Sequence, residues 1–464
     1  MTENSEPSGI NLLGIVLTGA LAIFMVNLDA TVVNIILPAL SDNFGVDPSR
    51  ISLVVISYLL ALTGTALMFG RLSDMKGPER VFISGYLMFA LSSLLCALAW
   101  SMWPLIFFRF LQGLGGAMIF ATSAVIVMRY IPTRMRGRAY AINGMMAGIG
   151  FALGSPVGGF LTHHFSWRMV FLVNIPIGLL GLALCVKFLT RRDATAKEPF
   201  FDLWGAVSSF SALAVLVYTL QSFSGESMFS TTSVAGLLLA IVLGGIFVGI
   251  EKRRRVPLLD LSIFRNRLLN FALAGTACYY VLLQGTAIVF PFFFIKGLGF
   301  TEMQTGYLLF VGPIVTILVN PLGGWLCDRV GAKIPCLFGT GLFIITSILL
   351  LNFDLSTSLP VIVGTLIIWG VGISFYSAPI LTLTMSHAEP ETLGILSSVK
   401  AVVPMIVGML GVGIFATTYS RASEAMQASA QQASYTGFHA AMYLVLAVAL
   451  LCLLCTLMTR SRQE

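Results

Sequence analysis

Long apolar runs alternate with short polar segments from one end of this chain to the other. A bilayer-spanning helix needs about 20 mostly apolar residues. Fourteen runs meet that length: residues 11–39, 51–72, 81–100, 103–127, 138–163, 168–189, 203–223, 232–251, 268–295, 303–326, 335–352, 358–386, 393–419 and 437–459. None alternates with the two-residue period of a strand, and only helices and closed barrels satisfy their backbone polar groups inside lipid. The pattern therefore predicts an all-α integral membrane protein with 14 spans. Three charges lie well inside the runs: Asp29 in the first, Arg109 in the fourth and Lys400 in the thirteenth. Of the 20 acidic residues, Asp29 alone lies well inside a run. A carboxylate at lipid depth is costly, and it marks an ion or substrate path facing a bundle interior or a wet cavity.

Composition supports the same class. The 464 residues are 57% hydrophobic and only 10% charged, where soluble domains carry about 25% charged residues. The net charge of +7 raises the question of nucleic acid, but its distribution excludes that partner. With both termini in the cytoplasm, the outer loops hold only Arg50, Arg168, Lys296 and Arg421, while clusters such as Arg129, Arg134, Arg136 and Arg138 fall inside. That asymmetry is the rule for membrane topology. The run Lys252 to Arg255 reads as an interfacial anchor. Met1 to Gly9 lacks the basic start of a cleaved signal, and the first run is too long for one, so that run is expected to be retained. The seven cysteines form no framework in a polar loop, so no structural disulfide is expected, and Cys452-x-x-Cys455 reads as core packing.

A motif recurs. Gly70-x-Leu72-x-Asp74-x-x-Gly77 follows the second run, and Gly324-x-Leu326-x-Asp328-x-x-Gly331 follows the tenth. The spacing leaves room for two extra spans between two six-span halves. The expected organisation is a cytoplasmic tail (1–10), a six-helix bundle (11–190), a linker with two inserted spans (191–256), a second six-helix bundle (257–460) and a tail (461–464). Duplication of this kind marks secondary transporters, with the binding site between the halves near the midplane.

Within the first span, Asn27, Thr31 and Asn34 cluster on one side at 100° per residue, and Asp29 lies opposite. A helix polar on two sides does not face lipid. It lines a cavity, or its amides and hydroxyl hold helices together. Arg109, Gln112, Gly113 and Gly116 share one face of the fourth span, with Gln112 a candidate for the substrate cavity. Counted from the outer ends, Asp29 and Arg109 differ in depth by roughly 6 Å at 1.5 Å per residue, within reach of an arginine. Two readings stay open: a proton-coupling pair, or a static pair that fixes packing. Gly150, Gly154 and Gly158 recur at steps of four in the fifth span and permit close helix approach, as a pivot or as plain packing. Tyr58, Tyr279, Tyr280, Phe293 and Tyr376 are candidates for a ring-lined pocket, with core packing or lipid contact as the alternative. Lys400 either snorkels to the inner interface or faces the substrate. His163 and His164 flank an outer loop. There is no P-loop, zinc spacing or nucleophile elbow, so no enzyme, metal or cofactor is expected.

Together these residues resemble the major facilitator superfamily, and within it the fourteen-span drug:proton antiporters. The loop motif at Gly70–Gly77, the run Arg109-Phe-Leu-Gln112-Gly113-Leu-Gly115-Gly116-Ala117, the segment Leu28-Asp29-Ala30-Thr31-Val32-Val33-Asn34 through Pro38, and Trp167-Arg168 through Phe171-Leu172-Val173-Asn174-Ile175-Pro176-Ile177-Gly178 carry the likeness over nearly the whole chain. The resemblance implies the major facilitator fold and a proton-coupled exporter of small amphipathic or hydrophobic compounds, working by alternating access in the inner cell membrane as a monomer among lipids. The proton gradient is its energy source. Asp29 and Arg109 would couple protons, with protonation weakening the hold of Asp29 on a cationic substrate. Gly70, Asp74, Gly77, Gly324, Asp328 and Gly331 would gate. Gly150, Gly154, Pro156, Gly158 and Gly159 would serve as a pivot. Two departures stand out. Ser155 takes the place of the antiporter motif's proline, which comes one position later as Pro156, and Met75, Pro78 and Glu79 replace basic residues of the loop motif. The displaced proline favours an uptake porter as the alternative to export. A lipid scramblase is a further alternative, but it would need polar stripes on more spans than the first and fourth.

Overall fold

The computed structural model describes residues 9–189, 207–208, 210–216, 218–219, 230–253, 266–386, 393–426 and 429–459. Among these residues the chain is helical and has no strand. The first half comprises α1 (Gly9–Phe44), the short α2 (Pro48–Ile51), α3 (Leu53–Lys76), α4 (Pro78–Ala97), α5 (Met102–Tyr130), α6 (Thr133–His164), the short α7 (Met169–Leu172) and α8 (Asn174–Phe188). After α9 (Thr231–Arg253) come α10 (Arg267–Phe292) with a π-helical turn at Phe293–Gly297, α11 (Glu302–Val330), α12 (Lys333–Leu351), α13 (Leu359–Ser386), α14 (Leu393–Glu424) and α15 (Ala430–Met458). Thirteen helices among the described residues are long and apolar enough to cross a membrane, against the fourteen expected. Of the expected run at 203–223, residues 207–208, 210–216 and 218–219 are described, and these are helical.

The repeated motif ends its helix in the same way twice. Gly77 has φ 90° and Gly331 has φ 81°, a region that side chains with a Cβ avoid. Each glycine therefore stops one helix and lets the chain reverse into the next. Pro78 then takes the first position of α4, where its missing N–H costs nothing.

The chain divides into two compact units, one of residues 1–33 and 57–206, the other of residues 34–56 and 207–464. In the first unit α4 packs on α5, α7 and α8, and α5 on α6. Glycines allow this. A Cβ on Gly115 of α5 would lie 2.7 Å from the Phe89 nitrogen of α4, and one on Gly113 would strike the Tyr58 carbonyl of α3. α5 is thus wedged between two backbones. α1 is tied in by Tyr86 of α4, whose hydroxyl donates to the Thr18 carbonyl at 2.9 Å. Between α7 and α8 the helix is interrupted at Val173, because Pro176 has no N–H for the Leu172 carbonyl.

In the second unit α10 packs on α14 and α15, α11 on α13, and α12 on α13 and α15. The α4–α5 approach recurs between α12 and α13, where a Cβ on Gly339 would lie 2.9 Å from the Gly372 carbonyl. The segment 34–56 belongs to this unit by its contacts. Lys296 donates to Asp42 at 2.6 Å, and Ser420 to Asp47 at 3.2 Å.

The close approach at Gly115 gives a direct expectation. Gly115→Leu forces α4 and α5 apart and lowers stability by about 1–3 kcal/mol, read as an earlier thermal unfolding midpoint of the detergent-solubilised protein. Gly70→Ala, where a Cβ meets open space, leaves the midpoint in place or raises it. Equal midpoints for Gly115→Leu and the parent protein would show that the two backbones are not in contact.

Candidate functional site

The first unit encloses a polar cluster at the level of Asp29. α1 supplies Asp29, α5 supplies Arg109 and Gln112, α4 supplies Ser93 and Cys96, α3 supplies Tyr58, and Asn174 is the first residue of α8. Asp29, Arg109, Gln112 and Asn174 are each 0% exposed. Arg109 Nη1 donates to Asp29 Oδ2 at 2.6 Å and to Gln112 Oε1 at 2.7 Å. Gln112 Nε2 donates to Asp29 Oδ1 at 2.9 Å and to Ser93 Oγ at 2.7 Å. Asn174 Nδ2 donates to Asp29 Oδ1 at 2.8 Å. The guanidinium carbon of Arg109 sits 4.2 Å from the centroid of the Tyr58 ring and 5.8 Å from that of Phe171. Three N–H groups thus converge on one carboxylate, and two aromatic faces cover its counter-ion.

Local sequence explains the convergence. Arg109 and Gln112 are three residues apart, so they stand on one face of α5. Gly113, immediately after Gln112, brings α5 against α3 and so sets Arg109 over the Tyr58 ring. The interruption before Pro176 places Asn174 at the start of a new helix.

Sequence reasoning placed Asp29 and Arg109 within reach of each other, and the structure brings them together. It also encloses Asp29 inside the bundle, so the carboxylate has no surface left to touch a substrate. The reason is that the opposite side of α1 carries the other polar groups. Asn27 donates to its own helix at Ile23 O, 2.8 Å away, and Thr31 Oγ1 donates to Phe151 O of α6 at 3.1 Å. Asn34 is half-buried and its Oδ1 has no partner. Gly150 and Gly154 face this same helix. A Cβ on Gly150 would lie 2.5 Å from Phe24 O, and one on Gly154 would strike the Thr31 hydroxyl. Gly158 and Gly159 are buried further along α6, with Pro156 between the stripe's glycines.

Four of the five ring candidates are buried in packing. Tyr58 covers Arg109. Tyr279 lies 5.3 Å from Tyr376 and 5.0 Å from Tyr280, ring centre to ring centre, and Phe293 stacks on Phe438 at 3.8 Å. Tyr58, Tyr279, Phe293 and Tyr376 are buried, whereas Tyr280 is half-buried. Lys400 lies in α14, and its side chain is outside the described residues. Asp74 is exposed at the end of α3, 3.7 Å from Arg71, and Asp328 is exposed near the end of α11. A Cβ on Gly70 or Gly324 meets open space. All seven cysteines are free and buried.

Two residues were missed in the sequence reading. Asn174 is an amide in an apolar run, and its signal was the Asn-x-Pro spacing. Glu79 is buried beneath the loop motif, where the Tyr130 hydroxyl donates to it at 2.9 Å and Arg129 Nη1 lies 3.4 Å away. Its signal was an acid directly after Gly77-Pro78, where the related motif is basic.

A multi-pass helical protein with a repeated loop motif and a sealed carboxylate–guanidinium pair has the build of a secondary transporter. The chain belongs to the Major Facilitator Superfamily, whose model matches residues 19–412, and it is a membrane transporter, not an enzyme. It is 30% identical to the multidrug resistance protein Stp of Mycobacterium tuberculosis (strain ATCC 25618 / H37Rv), over 87% of this chain and 75% of that protein. It is 28% identical to the riboflavin transporter RibZ of Clostridioides difficile (strain 630), over 86% of this chain and 87% of that protein. Among solved structures it is similar to the peptide transporter POT in complex with sulfate, with a TM-score of 0.69 at 16% identity, covering 95% of this chain and 94% of that one. At that identity the likeness concerns the fold alone.

Removing one partner of a buried ion pair costs about 3–5 kcal/mol, whereas replacing both with neutral groups is often close to neutral. Arg109→Met is therefore expected to destabilise the protein more than the double variant Asp29→Asn/Arg109→Met does. Thermal unfolding of the purified variants reads this. Additive losses in the double variant would show that the two charges do not interact.

Proposed function

We propose that this protein is a proton-coupled secondary transporter that exports small amphipathic or hydrophobic compounds by alternating access, with Asp29 as the proton-carrying group and Arg109 as its counter-ion. The observation that carries this reading is the Asp29–Arg109 pair, 2.6 Å apart and sealed at lipid depth. Static packing rarely needs so costly a device. Because Asp29 is enclosed, a bound proton acts on the substrate through the protein. Protonation removes the negative half of the pair, leaves Arg109 with uncompensated charge, and changes the balance that holds α1 and α5 together. A conformation that hydrates Arg109 is then favoured.

The energy is sufficient. One elementary charge crossing 100 mV releases about 2.3 kcal/mol, which sustains roughly a fiftyfold substrate gradient. In this reading both termini are cytoplasmic, the protein works as a single copy in the cell membrane, and it uses no cofactor. Asn27, Asn34 and Tyr280 remain as substrate-contact candidates, since each keeps some exposed surface. Gly70, Asp74, Gly77, Gly324, Asp328 and Gly331 remain gate candidates, and Gly150, Gly154, Pro156, Gly158 and Gly159 hinge candidates. The relative named for riboflavin transport favours a second reading, in which the substrate is a planar heteroaromatic compound taken up with protons.

Proteoliposomes with an imposed pH gradient separate the two, with ethidium and riboflavin as probes. Export by antiport moves ethidium against the proton flow, and uptake by symport moves riboflavin along with it. In either case Asp29→Asn is expected to reduce gradient-driven transport by at least roughly tenfold and to abolish its pH dependence. Full pH-driven transport by Asp29→Asn would end the coupling role of this carboxylate.

A further inference from the structure

A carboxylate that carries a proton needs hydrogen-bond donors when it is charged and an acceptor when it is protonated. The cluster around Asp29 supplies the donors: Arg109 to Oδ2, and Gln112 and Asn174 to Oδ1. The charged and titratable groups around Asp29 are Arg109 on α5, Tyr58 on α3 and Cys96 on α4. Arg109 has no acceptor atom, and neither the Tyr58 hydroxyl, which donates to Val26 O at 3.4 Å, nor Cys96 Sγ, which donates to Gln112 Oε1 at 3.8 Å, is bonded to Asp29.

A proton on either oxygen needs an acceptor for its O–H. Beside Oδ2 stands the Arg109 guanidinium at 2.6 Å, which has none to offer. Beside Oδ1 stand two amides, each with an acceptor oxygen that reaches the carboxyl only if the amide turns round. Gln112 is locked. Its Oε1 accepts from Arg109 and Cys96 and its Nε2 donates to Asp29 and Ser93, so reversing it breaks every one of these bonds. Asn174 is not locked. Its Nδ2 makes the single bond to Asp29, and its Oδ1 is buried with no partner. Reversing it breaks one bond, which the protonation of Oδ1 has already set in conflict, and brings an idle acceptor into use. Before and after the turn one amide atom lacks a partner, so neither orientation is strongly preferred on that account.

We infer that Asn174 is a positioning residue for the proton. Its Nδ2 donates to the charged Asp29, and a half-turn of its amide presents Oδ1 to the O–H of the protonated Asp29. This rests on the reading of Asp29 as the proton carrier. The step is a simple balance: one proton binds Asp29 Oδ1, the bond from Asn174 Nδ2 is lost, and the bond from the Asp29 O–H to Asn174 Oδ1 replaces it.

Infrared difference spectroscopy across a pH titration of the full-length protein in nanodiscs tests the proposal without a substrate. The parent protein is expected to gain a carboxylic C=O band on acidification that is missing in Asp29→Asn, which assigns the band. In Asn174→Leu the band appears at higher frequency, because the acid has lost its acceptor, and its pH midpoint moves by less than about one unit, because both protonation states have lost a partner. Asn174→Ser, whose hydroxyl both donates and accepts, returns the band toward its original frequency and decides the matter should Asn174→Leu not fold. An unmoved band in Asn174→Leu overturns the proposal. So does a midpoint displaced by more than about one unit, the mark of a residue that serves the carboxylate alone. Absence of any Asp29 band from the parent protein removes the protonated state, and with it the coupling reading as well as this one, which distinguishes the two failures.

Discussion

A carboxylate and a guanidinium sealed together at lipid depth set the terms for the first unit of this protein. Neither charge is tolerable there alone, so the surrounding helices are arranged to keep them together. Gly113 and Gly115 let α5 press against α3 and α4. Tyr58 closes over Arg109, and Gln112 bridges both charges while leaning on Ser93. Such a cluster is stable only while its donors and acceptors match. In the proposed reading a single proton added to Asp29 breaks that match, so the pair that braces the helices also senses the proton.

The second unit repeats the helix geometry without repeating the chemistry. α12 and α13 approach through Gly339 and Gly372 as α4 and α5 do through Gly115 and Gly85. Around them lie Tyr279, Phe343, Trp369 and Tyr376, with buried thiols at Cys278, Cys336 and Cys452, and among the described residues no ion pair in the interior. Duplication explains the shared frame. In the proposed reading the charge-sensitive step belongs to the first unit, where the buried Asp29–Arg109 pair lies.

Much of this was legible in one dimension. Span lengths and the repeated loop motif follow from apolar length and from spacing along the chain. The meeting of Asp29 with Arg109 was legible because depth in a membrane can be counted along each helix. What a neighbouring helix contributes was not. Asn174 reaches Asp29 from a segment 145 residues further along, and no count along α1 or α5 points to it. The rings stayed open between two readings for a related reason. Tyr279 and Tyr376 are equally apolar whether they face a cavity, lipid or each other, and only packing shows that they face each other. Glu79 is invisible as a buried acid because its partners, Arg129 and Tyr130, sit at the far end of the next span.

If Asp29 exchanges a proton with water during the working cycle, that proton is countable with a pH-indicator dye on acidification of the detergent-solubilised protein. The parent protein is expected to take up about one proton more per molecule than Asp29→Asn. Superimposable uptake curves for the two proteins would contradict it.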